Sequence, residues 1–459
     1  MSSLFGSMAI AAGSMLVQQS AIAVTANNVS NINTPGYSRQ QADLAESAPV
    51  WNGSSLVGTG VTLEQVTSLR DRILELRIQD EMQQQGSLDA QVNALSDVDL
   101  QFSTQNANLG DTINNFFDSL SSLTTDPSNS ALRQSVLVSA QDLARQFQST
   151  SKLLTQRQFN LDLQVQQAVA QVNQITSQIA DLNQRISSSG VSEDQLGTYV
   201  DQRNVLLQNL SSLIGNHVIT ADDGLTVTAS DGTPLVVGGQ AYSATFSSSN
   251  GQTIVTVGGH DISSSGSGGS ISGLLQVRNQ IIPGILSGLD SLASNLITSF
   301  NSAHESGIDL NGNTGIDFFV PAPAGGTGAA ASFAVNITDA SQIAASGDGS
   351  ASSNSNLNSL VALQNQGIVN GQTPADAYAN LTFQVGSQLA NAKADQQSTE
   401  AMVQQLNDQR GAISGVSLDE EASNLIRYQR AYEAAARVLT VISDLTAVSV
   451  NLGNSSATV

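Results

Sequence analysis

Few residues of this 459-residue chain have the type and spacing that chemistry requires. Asp309, Asn311 and Asn313 follow the alternating spacing of a calcium-binding loop, whose ligands are oxygen atoms. Such a loop also needs glycine at its sixth position and a bidentate glutamate at its twelfth, but Thr314 and Val320 stand there. The pattern therefore predicts a polar turn and no metal site.

The other candidates for catalysis or cofactor binding are isolated residues. His217, His260 and His304 are scattered singly along the sequence, and we expect each of them at the surface or in a turn. Gly58-x-Gly60 lacks the third glycine of a dinucleotide-binding loop. The sequence has no cysteine, which excludes disulfides, thiolate zinc sites and cysteine nucleophiles. We predict no enzymatic activity, no catalytic residues and no cofactor.

One acidic cluster, Asp419-Glu420-Glu421, resembles a set of metal ligands by composition. It follows Ser417 at the expected start of the last helix, and Ser417 and Glu420 have the spacing of a capping box. Negative side chains stabilise the first turn of a helix. We interpret the cluster as helix N-terminal charge.

Composition excludes several classes of partner. Only 12% of the residues are charged, and the formal net charge is −22, so a nucleic acid backbone or an anionic membrane surface is not an expected partner. The chain contains no run of about eighteen uninterrupted apolar residues. Ala21-Ile22-Ala23 has the form of a signal-peptidase site, but no Lys or Arg precedes it, so no cleaved signal peptide is predicted.

The two ends of the chain carry apolar stripes that need a partner. The first 38 residues contain no charged side chain, and their apolar residues recur at steps of three and four. Near the other end, apolar residues recur every seven positions. Such stripes require helical partners, so we expect the ends to pair with each other and with other copies of the chain. The predicted interface residues are Phe5, Met8, Met15, Ile22, Val29, Leu418, Leu425, Tyr428, Tyr432, Leu439 and Ile442.

Between the ends, the sequence predicts long helices. Apolar residues at seven-residue spacing over 133–187 indicate one helix about 75 Å long, supercoiled with its neighbours. A broken helical pair over 88–120, a shorter helix over 193–213 and a third long helix over 378–413 should pack beside it.

A different pattern follows the shorter helix. Residues 218–262 alternate in twos, and the pairs Asp223-Gly224, Asp231-Gly232 and Asn250-Gly251 supply hairpin turns. A helix over 271–304 follows. The Gly- and Ala-rich residues 321–356 are expected to form a loosely structured outer loop with one short strand, Phe333 to Ile337.

The predicted fold class is mainly α with a small β insertion. It comprises a terminal coiled-coil region, 1–60 with 418–459, and a discontinuous long-helix bundle, 61–215 with 357–417. The β-rich insertion, 216–356, forms an outer domain. The chain thus runs outward and returns.

One motif near the N-terminus is specific, the run of thirteen residues from Asn27 to Arg39. Pro35 ends the preceding helix, and Pro35-Gly36 fits the central positions of a type II turn. This run resembles the N-terminal signature of the bacterial flagellar axial proteins, the family of rod, hook and hook-associated subunits. Segments 58–71 and 414–432 are similar to two further signatures of that family. The motif residues are Asn27, Asn28, Asn31, Pro35, Gly36, Tyr37 and Arg39.

The resemblance, which is strongest to the hook-associated subunits, implies a structural subunit at the junction between hook and filament. It implies an extracellular location and export in unfolded form by the flagellar export apparatus, with the terminal helices folding on assembly. The implied partners are other copies in a ring, the hook protein, the second junction protein and an export chaperone at the C-terminal segment. Relatives often carry a large β-rich insertion after a Phe-Phe pair, but only about 35 residues follow Phe318-Phe319 here.

Two alternatives remain open. Another axial subunit, from the hook or the distal rod, would share the end motifs, but we expect such subunits to be β-rich where this chain has the helix over 133–187. A secreted coiled-coil adhesin would need a signal peptide or a membrane anchor.

Overall fold

Long helices from both halves of the chain build the body of the molecule. The computed structural model describes residues 2–52, 55–103, 108–188, 193–221, 224–263 and 268–455. The helices are α1 Ser2–Ser30, α2 Arg72–Ser103, α3 Leu109–Leu123, α4 Ser130–Ser187, α5 Glu193–Leu213, α6 Gly269–Gln276, α7 Ile282–Glu305, α8 Ser355–Ala362, α9 Pro374–Ser414 and α10 Leu418–Ser455. The strands are β1 Gln40–Glu46, β2 Val50–Asn52, β3 Ser55–Val57, β4 Val61–Ser68, β5 Asn216–Ala221, β6 Gly224–Ala229, β7 Pro234–Val237, β8 Gln240–Ala241, β9 Ala244–Ser249, β10 Gln252–Val257 and β11 His260–Asp261. This order confirms the predicted fold class.

The longest helix, α4, begins and ends where its sequence indicates. The side chain of Asn129 caps it by accepting hydrogen bonds from the backbone N–H groups of Ala131 and Leu132. Its 58 residues span about 87 Å. The residues at seven-residue spacing face the bundle: Ala140, Phe147, Leu154, Leu161, Ala168 and Leu182 are buried, and Ile175 is partly buried against the same core. The periodicity therefore predicted the packing face correctly.

Helices distant in sequence complete the bundle. Helix α9 packs along α2, while α3 and α5 pack against α4. A π-helical turn, Val277–Ile281, joins α6 to α7, because Pro283 has no N–H for the regular ladder and Ile282 donates to the Val277 carbonyl instead. The helix predicted over 271–304 is therefore one continuous helical segment that contains a π-bulge.

The β insertion packs directly on α4. Strands β5 to β8 form one antiparallel sheet, and β9 to β11 form another. The β9–β10 hairpin turns at Asn250 and Gly251, whose φ angles of 51° and 77° match the predicted two-residue turn. On α4, the side chain of Asn173 bonds both the N–H and the carbonyl of Ala244, at 2.7 and 2.8 Å. Of the predicted turns, Asp223 lies outside the described residues.

The prediction of a loosely structured outer loop over 321–356 is wrong. The ring of Phe333 stacks on that of Phe147 in α4, with centroids 4.6 Å apart, and it also contacts Phe319 at 4.8 Å. The predicted strand from Phe333 is only a single bridge between Phe319 and Val335. Other buried residues of this region are Phe318, Ala329, Ala330, Ile337, Ile343 and Ala345. The small residues allow close packing against the bundle and do not mark looseness.

His304 corrects a second expectation, because it lies in the core and not at the surface. It is 1% exposed, and its Nδ1 lies 2.7 Å from the Ile316 carbonyl oxygen. Its Nε2 accepts the N–H of Ala344 at 2.9 Å. The ring is therefore a neutral imidazole that ties the chain after α7 to the segment before α8. His217 and His260 are exposed, as expected.

Asp309 forms a compact polar turn with the two asparagines that follow it at alternate positions. Its Oδ1 accepts the backbone N–H groups of Asn311 at 2.8 Å and Asn313 at 2.7 Å. These bonds occupy the carboxylate with its own loop, as in an Asx turn.

The predicted terminal region, residues 1–60, is helical only as far as Ser30. Helices α1 and α10 pack along each other, and β1 pairs with β4 in an antiparallel hairpin that lies against α1. Ala21, Val24 and Ala42 form a small buried cluster at that contact, with Tyr428 of α10 at its edge. Pro35 ends the helical stretch, and the alternation of polar and apolar residues in β4 is typical of a strand. The assignment of the whole region to a coiled coil is wrong for residues 40–60.

Two helical stretches, Leu4–Ser30 and Gly269–Glu305, are long and apolar enough to cross a membrane by length and composition alone. The second carries core residues of the bundle, among them Leu289 and Phe300, which are fully buried. The first is the helix α1 that packs on α10. Core helices of soluble proteins pass the same test.

Candidate functional site, a joint at the base of the end helices

The turn after α1 lies where the end helices meet the bundle. The N–H of Tyr37 donates to the Thr34 carbonyl at 3.2 Å, which closes a turn around Pro35 and Gly36. Gly36 has a φ of 78°, as a type II turn requires. A Cβ at this position would lie 2.2 Å from Cγ2 of Val205 in α5, so the close approach also requires glycine.

Asn28 is the central buried polar residue of this joint. It is 1% exposed, and its Oδ1 accepts the Tyr37 hydroxyl at 2.8 Å and the Gln40 N–H at 2.9 Å. Its Nδ2 donates to the Gln40 carbonyl at 2.8 Å and to Glu421 at 3.1 Å. One amide thus connects α1, the turn, β1 and α10, and its hydrogen-bonding capacity is fully used.

Arg39 binds the acidic cluster at the start of α10. Its Nε donates to Oε1 of Glu421 at 2.7 Å, and its Nη1 contacts Glu420. Partial burial would lower the pKa of Arg39, but its bonds and charge interactions with Glu420 and Glu421 outweigh that effect and raise it. Glu421 is 2% exposed.

The interpretation of the acidic cluster as helix N-terminal charge alone is therefore incomplete. Glu420 and Glu421 pair with Arg39, nearly 400 residues earlier in the chain. In the sequence, this pairing is reflected only in the opposite charges of the two motifs. Spacing along the chain carries no information about such a distant pair.

A second set of contacts fastens the turn to the bundle. The backbone N–H and the hydroxyl of Ser38 both donate to Asp201 of α5, at 3.0 and 2.8 Å. Arg70 donates to the same carboxylate at 2.8 Å and to the Gly197 carbonyl at 2.8 Å. From α9, Arg410 donates to the carbonyl of Gly36 at 3.0 Å. The joint therefore fixes the end helices to the bundle through α5 and α9.

The remaining motif residues have local roles. Asn31 donates to the Asn27 carbonyl at 3.0 Å and to its Oδ1 at 2.7 Å, which closes the last turn of α1. Pro35 is exposed. The motif thus divides into residues that hold the joint, namely Asn28, Gly36, Tyr37 and Arg39, and residues that shape the helix end.

On α1, the face that is buried is not the predicted one. The predicted stripe contains Phe5, Met8, Met15, Ile22 and Val29, of which Phe5 and Val29 are exposed and the other three are half-buried. The buried face consists of Ala11, Val17, Gln18, Ala21, Val24, Thr25 and Asn28. Because several of these residues are small or polar, a search for apolar periodicity does not detect this buried face. The open face carries Phe5, Ala9, Ala12, Leu16, Ala23 and Ala26.

On α10, most residues of the predicted stripe are at least partly covered within the copy. Ile442 is buried, and Leu425, Tyr428, Tyr432 and Leu439 are half-buried, while Leu418 is exposed. A second apolar stripe, which the sequence reasoning missed, stands open to solvent on another face: Val438, Val441, Leu445 and Val448 at steps of three and four. Each end helix thus has one face covered within the copy and one uncovered.

Among the described residues of the joint, no set of side chains is arranged to bind a metal ion. Across the part of the chain that the structure describes, no group of three or more acidic, His or Cys side chains is placed to hold a metal ion. The carboxylates of the joint are paired with arginine or with hydrogen-bond donors.

Comparison with known proteins places these features in a family. A family model described as the flagellar hook-associated protein FlgK helical domain matches residues 95–319. Models described as flagella basal body rod protein and as the C-terminal part of flagellar basal body rod FlgEFG protein match residues 8–37 and 409–452. The three matches cover most of both end helices and the part of the bundle from the end of α2 to α7.

Curated relatives match along nearly the whole chain. Flagellar hook-associated protein 1 of Salmonella typhimurium is 27% identical over 540 aligned positions, covering 95% of this chain and 97% of the relative. Because 540 exceeds 459, that relative has residues without a counterpart here. A solved structure described as the flagellar hook junction protein FlgK from Burkholderia pseudomallei superposes with a TM-score of 0.66 at 17% identity, covering 74% of this chain and all of that one.

The likeness to the Burkholderia structure shows a shared fold. Flagellar hook-associated protein 1 of Bacillus subtilis is 30% identical, and the alignment covers 97% of each chain. At that identity and coverage, the chain belongs to the flagellar hook-associated protein 1 family.

Proposed function

We propose that this chain is a structural subunit of the bacterial flagellum that forms the junction between hook and filament. The observation that carries the proposal is the second apolar stripe on each end helix. Within one copy, α1 and α10 cover one face of each other. The open stripe of α1 has no charged residue, and the open stripe of α10 is bordered by one residue of each charge, Arg437 and Asp444. A helix with two apolar faces packs stably only between two neighbours.

The partners follow from the same surfaces. Other copies in a ring would cover the open stripes of α1 and α10, and the hook protein and the second junction protein would contact the two rims of that ring. An export chaperone would bind the C-terminal segment, where Val438, Val441, Leu445 and Val448 are exposed. Such an amphipathic helix fits a groove on a partner.

We further propose that the subunit reaches the outside of the cell unfolded, through the flagellar export apparatus and without a cleaved signal peptide, and that its end helices become stable on assembly. Seven or eight apolar side chains of the N-terminal helix would gain ~10–20 kcal/mol on full burial. Ordering about 30 residues costs backbone entropy, and a helix that is covered on only one face recovers just part of that burial energy. Burial by neighbouring copies supplies the additional gain.

Deletion of the gene tests the junction role. The expected phenotype is hooks without filaments, with flagellin released into the medium, because filament subunits would have no platform on which to assemble. Complementation with the wild-type gene is the control and should restore filaments. Intact filaments in the deletion strain would refute the proposal.

A further inference from the structure

A small hairpin beside the end helices exposes large apolar side chains on both of its faces. Strands β2 and β3 pair Val50 with Val57 and Trp51 with Leu56. Successive residues of a strand point to opposite faces, so the two pairs lie on opposite sides of the hairpin. Trp51, the only tryptophan of the chain, is 71% exposed, and the other three side chains are also exposed.

This hairpin belongs to an uncharged part of an acidic protein. From Ser47 to Leu63 the sequence has no charged residue, whereas the whole chain carries a formal charge of −22. Copies of such a chain repel each other over most of their surface. The hairpin and the first 38 residues are therefore two surfaces where copies can approach without charge repulsion.

The two uncharged surfaces are adjacent. At the base of the hairpin, a Cβ added to Gly60 would lie 3.0 Å from Cγ2 of Ile10 in α1. The hairpin thus leaves the end helices at the level of Ile10 and projects from them. Its four apolar side chains remain exposed, so neither α1 nor α10 of the same copy covers them.

We propose that the β2–β3 hairpin of one copy docks on the open α1 stripe of a second copy. This inference rests on the proposed function, because it names one contact within the proposed ring. The stripe around Phe5, Ala9, Ala12 and Leu16 is uncharged and rich in alanine, which offers a shallow surface on which an indole ring lies flat. Within the proposed ring each copy docks its hairpin on one neighbour and receives the hairpin of the other, which is a head-to-tail contact of the kind that generates rings or helical arrays.

The area of the hairpin sets the strength of the contact. Its four side chains expose on the order of 400 Å² of apolar surface, the size of a functional patch. A stable pair of proteins needs about 800 Å² on each partner. The hairpin therefore does not hold a dimer in solution, and it contributes only where many copies are assembled side by side.

The absence of native cysteine allows a direct test by disulfide cross-linking. Two versions of the chain are expressed together in the deletion strain, one carrying Trp51→Cys and the other, with a size tag, carrying Phe5→Cys, Ala12→Cys or Leu16→Cys. Each copy holds one cysteine, so a mixed disulfide forms only between copies. We expect a cross-linked pair of mixed mass in isolated flagella and none in the purified monomer at the same concentration.

The control replaces Trp51→Cys by Phe383→Cys, which lies on α9 and has the same exposed fraction of 71%. It should give no mixed pair with any of the α1 positions. A second readout is motility, which Trp51→Ser with Leu56→Ser should reduce at least several-fold, while Phe383→Ser should not.

The outcomes separate the two proposals. Filaments that form normally with Trp51→Ser and Leu56→Ser, together with no mixed disulfide at any α1 position, would overturn the docking contact and leave the junction role intact. Intact filaments in the deletion strain itself would instead overturn the junction role on which the contact depends. A mixed disulfide confined to assembled flagella supports the contact.

Discussion

At the scale of single residues, the Asn28 side chain alone bonds three of the segments that meet in the joint: the turn, β1 and α10. Replacing Asn28→Ala would remove the bonds of Asn28 to the backbone N–H and carbonyl of Gln40 and to Oε2 of Glu421, at about 1–3 kcal/mol for each buried group left unsatisfied. We expect the equilibrium constant for assembly of the subunit to fall about tenfold for each 1.4 kcal/mol lost, and the fraction of hooks that carry filaments to fall with it. The measurement is a count by electron microscopy in the complemented deletion strain.

Asn31→Ala is the matched control for Asn28→Ala. Asn31 belongs to the same helix end, but its side chain bonds near neighbours in the chain, donating to Asn27 and accepting the Thr34 hydroxyl, so its loss should leave filament number near the wild-type value. Equal filament numbers in the two variants would show that the joint does not depend on Asn28.

Because His304 is buried, we expect the free energy of unfolding of the chain to depend on pH. Burial lowers the pKa of His304 in the folded chain, although the Ile316 carbonyl and nearby Asp309 and Asp317 act in the opposite direction. The unfolded chain, with an ordinary pKa near 6.5, then binds the proton more strongly than the folded chain. The contribution of His304 is therefore complete above about pH 6.5 and is lost as the pH falls from there toward the folded pKa.

The measurement is the free energy of unfolding of the purified chain between pH 7.5 and 5.5. We expect the wild type to lose up to about 1.4 kcal/mol per pH unit relative to His304→Gln, which does not titrate. His260→Gln, which replaces an exposed histidine outside the core, is the matched substitution control. Parallel curves for the wild type and His304→Gln would contradict the role assigned to the buried ring.

At the scale of elements, sequence periodicity predicts what each helix buries only when the buried face is apolar. Helix α4 is the clear case, because its seven-residue repeat of Phe, Leu, Val and Ala is also its packing face. Helix α1 is the opposite case, because it buries Gln18, Thr25 and Asn28 and exposes Phe5 and Leu16. Its contacts with β1 and α10 combine small apolar residues such as Ala21 and Val24 with polar ones, so the buried face does not stand out as an apolar pattern.

The prediction of a loose loop over 321–356 was wrong for a related reason. The Gly, Ala and Ser residues of this segment resemble a linker by composition, but the ring of Phe333 anchors it to Phe147 of α4, and Phe319, just before it, packs on Phe116 of α3 and Phe300 of α7. Small residues between two aromatic anchors allow the backbone to lie close to the bundle without regular strands. Composition alone does not distinguish a linker from a packed segment of this kind.

The joint could be predicted only in part. Pro35-Gly36 correctly indicated a type II turn, because both residues act locally through φ. The contact of Gly36 with Val205, and the pairing of Arg39 with Glu421, depend on the packing of α5 and α10. Such contacts between segments 170 to 380 residues apart leave no local pattern in a single sequence.

At the scale of the whole molecule, the covered and open stripes predict that the end regions differ in order before and after assembly. The bundle buries its core within one copy, including Phe147, Leu154 and Leu161 of α4. The end helices bury few large apolar side chains within one copy: among the described residues of α10, only Ile442 is a buried apolar residue. We therefore expect both end regions to be largely disordered in the purified monomer and ordered after assembly.

Amide hydrogen exchange measures this difference within one sample. In the monomer, amides of 1–38 and 425–450 should exchange rapidly, while those of 140–182 in α4 are strongly protected and act as the internal control. In isolated flagella, the end regions should become protected by at least an order of magnitude, because neighbouring copies then cover the stripes of Phe5 to Ala26 and Val438 to Val448. Strong protection of 1–38 and 425–450 in the monomer would show that the contacts of α1 with α10 and the β1–β4 hairpin suffice. The open stripes would then serve to join preformed subunits, and folding would not be coupled to assembly.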